Sequence, residues 1–317
     1  MNIPGIETIP GVFFWSSFKK LRERNFVMKR LKDRLFYFVI LCFTLLTILT
    51  LAFVIGFIIH ESMPLFQEVR VTDFIFGSKW MPIDYTGTTS FGIFNFIAGT
   101  IAVSVLAMFF SIVISLGCAL WLSCAANDPV RNVIYPIIDL LAGIPSVIYG
   151  FIGLTCLVKL LLKVGVHTGS CVLAGAIVLA IMLFPYLISS CSYTILKMKE
   201  RYLLPAETLG ISRWYVITTI ILPAAFPNIL ASMILAIGRA MGETMAVMMV
   251  MGNANLFPAL LGKGETIASV IALEMGTAVA GSTHYHALYA AGMVLMIMLF
   301  VINIGIHFLQ IRLERRL

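Results

Sequence analysis

Long apolar runs separated by short polar stretches organise this chain. They fall at 35–59, 93–123, 133–158, 170–195, 222–250 and 286–310. A bilayer core takes about 20 residues of helix, so each run predicts one transmembrane helix. Six spans make the chain an all-α, polytopic membrane protein. The third run carries DLLAGIPSVIYGFIGL (Asp139–Leu154), where Pro145 has no N–H to give. With Gly143 and Gly150 in the same run, Pro145 predicts a bent helix lining a cavity, with Gly143, Pro145 and Ser146 at the kink. Asp139 lies near the end of that run, facing either a loop or the bundle. The stretch 251–285 is too long for a tight turn and mixes polar with short apolar patches; it is read as an outward-facing gate or re-entrant segment.

Composition removes the soluble classes: 60% of residues are hydrophobic, 12% are charged and the mean hydropathy is +1.01. A net charge of +7 suggests nucleic acid until the charges are placed. Eight of the 22 Lys and Arg lie between Lys19 and Arg34, ahead of the first run. With the N-terminus inside, sixteen fall on cytoplasmic segments and five outside (Arg70, Lys79, Lys159, Lys163, Lys263). That bias puts both termini in the cytoplasm, at the inner membrane. Lys159 and Lys163 run against it, so the third helix has room to end elsewhere. Residues 1–34 place Val12, Phe13, Phe14, Trp15 and Phe18 before the basic cluster. They read as an interfacial amphipathic segment on the cytoplasmic leaflet, or as a flexible tail. No cleavable signal peptide is expected. The six cysteines are scattered without CxxC spacing and read as small core residues. The resulting division is 1–34 as the N-terminal segment, 35–92 as the first transmembrane helix with an extracytoplasmic loop, and 93–317 as a five-helix core.

One charge remains inside a span. Arg239 sits in PNILASMILAIGRAMGETMAVMMVMG, roughly 18 Å along a helix from Pro227. Burying it there costs on the order of 2.5–3.5 kcal/mol on insertion scales. Four-residue spacing puts Glu243 on its face, beside Gly238 and Gly242. Two readings stand: a structural ion pair locking two helices, or a polar gate of Arg239, Glu243 and Thr244 that meets a charged solute.

The stretch PAETLGISRWYVITTIILPAAFP (Pro205–Pro227) reads as a short helical hairpin. Gly210 breaks it, Trp214 and Tyr215 form an aromatic knob, and Pro223 begins the next span. It suits docking on a partner protein, or lies on the membrane as an amphipathic loop. No G-x-x-x-x-G-K-[ST], HExxH or G-x-S-x-G motif occurs. No catalytic or metal-binding residues are expected in this chain. His284 and His286 read as solvated residues at the start of the last helix.

The spacing of Gly210, Trp214, Leu222 and Pro223 resembles the EAA loop of ABC-importer permeases. Where that loop has Glu-Ala-Ala, this chain has Leu204, Pro205 and Ala206, with an acid displaced to Glu207. GRAMGETMAVMMVMGN (Gly238–Asn253) resembles the fifth-helix signature of the PstC family of phosphate-importer permease subunits, and DLLAGIPSVIYGFIGL resembles its third-helix motif. The likeness runs from about Phe36 to the end. It implies a MetI-like permease core with a cytoplasmic coupling helix in the loop 200–223, contacting the ATPase through Ala206, Glu207, Gly210, Trp214, Tyr215 and Pro223. It also implies a PstA-like second permease, two PstB-like ATPases using ATP and Mg, and a PstS-like extracytoplasmic phosphate-binding protein. No cofactor is expected on this chain itself. The rival readings are a permease for another oxyanion such as molybdate or sulfate, a self-sufficient secondary transporter, and a membrane enzyme. No clear inverted repeat favours the second, and no catalytic cluster favours the third.

Overall fold

A computed structural model describes the backbone of residues 10–82 and 89–314 and the side chains of 34–82 and 89–312. The interfacial reading of 1–34 rests on side chains that lie, all but Arg34, outside the described residues. Among the described residues, six helical stretches are long and apolar enough to cross a membrane: Arg34–Glu68, Phe94–Ala125, Ser146–Lys163, Val172–Thr208, Arg213–Met241 and Thr283–Arg312.

The chain divides into two compact units, Met1–Phe57 and Ile58–Leu317. Helix α1 (Pro10–Ser62) supplies the described part of the first. Its apolar side chains from Leu35 to Phe57, apart from the half-buried Ile55, are exposed, as lipid contact requires. Thr44, Thr47 and Thr50 turn their hydroxyls back onto the carbonyls of Ile40, Phe43 and Leu46 at 2.8–2.9 Å. That satisfies them where no water is available.

In the second unit, α2 (Leu65–Glu68), α3 (Val71–Phe76) and a two-stranded hairpin, β1 (Trp80–Met81) on β2 (Ser90–Phe91), precede α4 (Phe94–Leu120). After it come α5 (Asp128–Ala142), α6 (Ser146–Ile152), α7 (Lys159–Lys163) and α8 (Val172–Thr208). The remaining helices are α9 (Arg213–Val216), α10 (Leu222–Met241), α11 (Met245–Val250), α12 (Ile267–Glu274) and α13 (Thr283–Glu314). Helices α4 and α8 form the spine. Small residues let them approach closely, and Ser111 Oγ bonds the carbonyls of Ala107 (2.7 Å) and Ala180 (3.2 Å). Among the described residues four cores surround the spine, a small one at Leu122, Ile138 and Ile188 and three larger. One gathers Val103, Ala107, Leu179, Leu183, Ala246 and Val247 at its middle. A second holds Ala119, Cys191, Ile195, Ala206, Val216 and Ile221 at the end bearing Gly210. The third packs Phe74, Trp80, Phe96, Ile267 and Leu288 at the opposite end.

Two expected helices are broken. The third apolar run is not one kinked span: α5 stops at Ala142, and a new helix starts at Ser146 and continues to Lys163. A proline both lacks an N–H and pushes its predecessor out of helical geometry, so Gly143, Ile144 and Pro145 separate two helices. The fifth run breaks at Gly242-Glu243-Thr244, between α10 and α11. Its helix also starts earlier than Pro223, at Arg213. A π-helical turn over Ile217–Ile221 widens the backbone just before Pro223, accommodating a residue with no N–H.

Candidate functional site

The breaks in the third and fifth runs are packed together. A Cβ at Gly150 on α6 would lie 2.8 Å from Ala246 Cα on α11, so only glycine allows this approach. Tyr149, one residue earlier, donates from its hydroxyl to Leu141 O at 2.8 Å and ties α6 back to α5 across the Gly143–Pro145 gap. Arg239 stands in the last turn of α10. Its charge reaches Tyr149 on α6 and Tyr186 on α8.

The expected Arg239–Glu243 pair does not form. Past Met241 the chain leaves the helix at Gly242, the poorest helix former here apart from proline, so four-residue spacing no longer sets a shared face. Glu243 Oε1 instead accepts from Ala246 N at 3.2 Å and caps the start of α11. Thr244 precedes that helix, its hydroxyl 3.4 Å from Gly242 O. Arg239 is exposed in the isolated chain and makes no hydrogen bond or ion pair among the described residues. Its five N–H donors are uncommitted.

The hairpin at 204–216 is built on a glycine turn. Helix α8 runs through Pro205 to Thr208 and ends with Gly210 at φ 73°. Gly210 N bonds Glu207 O at 3.0 Å and Ile211 N bonds Ala206 O at 3.1 Å, the paired bonds of a Schellman cap. Glu207 is ion-paired to Arg213 at 2.5 Å, bracing the two arms. Ala206 and Val216 are buried beneath, while Leu204 (73%), Leu209 (77%), Trp214 (74%) and Tyr215 (55%) are exposed. Pro223 lies well behind this tip.

At the opposite end, segment 251–282 is ordered. The carbonyls of Val250, Gly262 and Leu260 accept from Cys171, Val172 and Leu173 N at 2.9–3.2 Å, filling the start of α8. Ile267 N bonds Thr100 Oγ1 at 3.0 Å and docks α12 on α4. The two histidines are paired rather than solvated. His284 Nε2 is 2.8 Å from Glu274 Oε2, which also accepts from Trp80 Nε1 at 2.9 Å. His286 Nδ1 is 2.8 Å from Glu61 O. Packing of Trp80 against Phe91, Phe96 and His284 holds this network in place.

Glu265 is buried in the same segment. Burial, and then the charge of Glu274, raise its carboxyl from 4.5 to about 7. The folded chain therefore keeps a proton that the unfolded chain has lost between pH 4.5 and about 7. Stability falls as pH rises through that window and stays lower above it. Glu265→Gln, which cannot ionise, is expected to remove this loss, worth about 3 kcal/mol. Thermal unfolding of purified protein at pH 5 and pH 8 tests this, the wild type losing more between the two than the variant. Equal losses would show that Glu265 does not titrate in the fold.

Residues 112–317 match the family of binding-protein-dependent transport system inner membrane components. The chain belongs to that family. It is 33% identical over 250 residues to the probable ABC transporter permease protein YqgH of Bacillus subtilis (strain 168), covering 78% of this chain and 80% of that protein. It is also 33% identical over 270 residues to the phosphate transport system permease protein PstC of Xylella fastidiosa (strain Temecula1 / ATCC 700964), covering 78% and 82%. The fold is shared with a structure of the inward-facing MetNI methionine ABC transporter, at TM-score 0.56 and 14% identity over 70% of this chain and 97% of that one.

In this permease Gly210 makes the turn between α8 and α9, and Trp214 and Tyr215 are exposed on α9. Arg239 and Thr244 flank a helix break, and Gly143, Pro145 and Ser146 flank another. Sequence reasoning missed Tyr149, Glu265 and the partners of the two histidines. Only Tyr149 carried a signal, its place one turn after Pro145.

Proposed function

We propose that this permease is one transmembrane half of an ATP-driven importer that carries inorganic phosphate inward across the cytoplasmic membrane. The observation that carries the reading is Arg239, an uncommitted guanidinium inside a membrane span beside two packed helix breaks. A guanidinium is always charged and presents a planar fork to oxyanion oxygens. Gly143, Pro145, Ser146 and Thr244 would line the path around it. The likeness to a phosphate transport system permease selects phosphate among oxyanions. The bias of Lys and Arg puts both termini and the Gly210 hairpin in the cytoplasm. There the exposed Leu204, Leu209, Trp214 and Tyr215 suit the groove of an ATPase subunit. The full assembly adds a PstA-like permease, two PstB-like ATPases that bind ATP and Mg, and a PstS-like phosphate-binding protein outside; this chain binds no nucleotide. Residues 1–34 anchor at the membrane surface and take no part in the path.

Uptake of labelled phosphate by the reconstituted complex tests the reading, with ATP supplied or withheld on the cytoplasmic side. Uptake should require ATP and should persist in excess sulfate or molybdate. Displacement by either anion would change the assigned substrate, and uptake without ATP would overturn the importer reading.

A further inference from the structure

We propose that Lys199 is a positioning residue that couples the Gly210 hairpin to the second span. The proposal rests on the reading that this hairpin meets the ATPase. The second span ends in a π-helical turn, Trp121–Ala125, whose last carbonyls have no helical donor left. Two cations fill them from different helices. Lys199 Nζ, on α8, donates to Ser123 O at 2.8 Å. Arg131, on α5, donates from Nε to Leu122 O at 3.0 Å and from Nη2 to Ala126 O at 3.2 Å and Ser123 O at 3.5 Å. Asp128, largely exposed, faces Arg131 Nη1 at 3.3 Å. Lys199 itself has no acidic partner among the described residues.

Lys199 lies less than two turns of α8 before Pro205, where the hairpin begins. Any displacement of the hairpin along α8 therefore arrives at Ser123, and through Ser123 at Arg131 and α5. As a stabilising contact the bond contributes little. Holding a lysine extended costs rotamer freedom of about the size that one hydrogen bond to a charged group returns. Near break-even in stability, the contact serves as a strut joining three helices beneath the hairpin.

The test reads ATP hydrolysed per phosphate imported, a ratio independent of how much complex assembles. Lys199→Met should raise it several-fold, and Lys199→Arg should restore it by reaching the same carbonyl. If Lys199→Met accumulates poorly, Lys199→Gln, which is shorter and uncharged, is expected to raise the ratio in the same direction. A wild-type ratio in both Met and Gln variants overturns the strut. So does a raised ratio that Lys199→Arg fails to rescue. Gly210→Val, measured alongside, separates the two ideas. If it uncouples and the Lys199 variants do not, the strut alone is wrong. If it leaves ATPase attachment and coupling intact, the hairpin reading fails and the strut with it.

Discussion

Arg239→Gln is expected to assemble in normal amount and to lose phosphate uptake by about 10- to 150-fold, the share of about 1.5–3 kcal/mol that a charge-assisted hydrogen bond contributes. Assembly should survive because Arg239 has no ion pair to break among the described residues. Had it been locked to Glu243 in a buried pair, removing one partner would destabilise the bundle by about 3–5 kcal/mol. Arg239→Lys should keep part of the activity, since an ammonium carries the charge without the fork. Glu243→Gln should keep more, because an amide oxygen can still accept from Ala246 N, whereas Glu243→Ala loses that cap and about 1 kcal/mol with it. Uptake and complex abundance are read together. An Arg239→Gln complex that assembles and imports at the wild-type rate removes Arg239 from the path.

The second large effect is expected at Gly210. Beyond its chain neighbours, no described residue comes within 4 Å of where its Cβ would stand, so a side chain fits and the cost is conformational. At φ 73° a β-branched residue is strained by roughly 1–2 kcal/mol. The inexpensive relief is to open the cap that Ile211 N and Gly210 N make on α8. Gly210→Val should therefore leave insertion intact while the exposed Trp214 and Tyr215 lose their placement. Uptake should fall at least about tenfold, or the ATPase should dissociate. Asparagine tolerates the left-handed region, so Gly210→Asn should retain most coupling. If Val and Asn behave alike, conformation at this turn is not what the partner reads.

Spans and hairpin were legible in the sequence because apolar runs and a glycine turn act locally. Where the runs break was less so. A hydropathy run is blind to whether Gly143–Pro145 bends a helix or ends it, and to whether Gly242 lets Glu243 stay on the face of Arg239. Packing of Gly150 on Ala246 joins segments about a hundred residues apart, and no local pattern reports it. The buried state of Glu265 and the Trp80–Glu274–His284 network depend on such distant contacts too. Conversely, the HxH spacing of His284 and His286 suggested chemistry in common, yet each ring turns to a different acidic residue.

Helix α8 spans 37 residues, a length of about 55 Å. One end is gripped by the carbonyls of Val250, Leu260 and Gly262, and the other carries the Gly210 turn. A rod pinned this way converts angle into travel: tilting it by about five degrees about the pinned end sweeps the far end through about 5 Å, close to one helical turn. The same tilt scarcely moves the residues beside the pin. A force applied at the turn would thus have a long stroke and a high mechanical advantage over the membrane interior, where Tyr186 sits partway along the shaft.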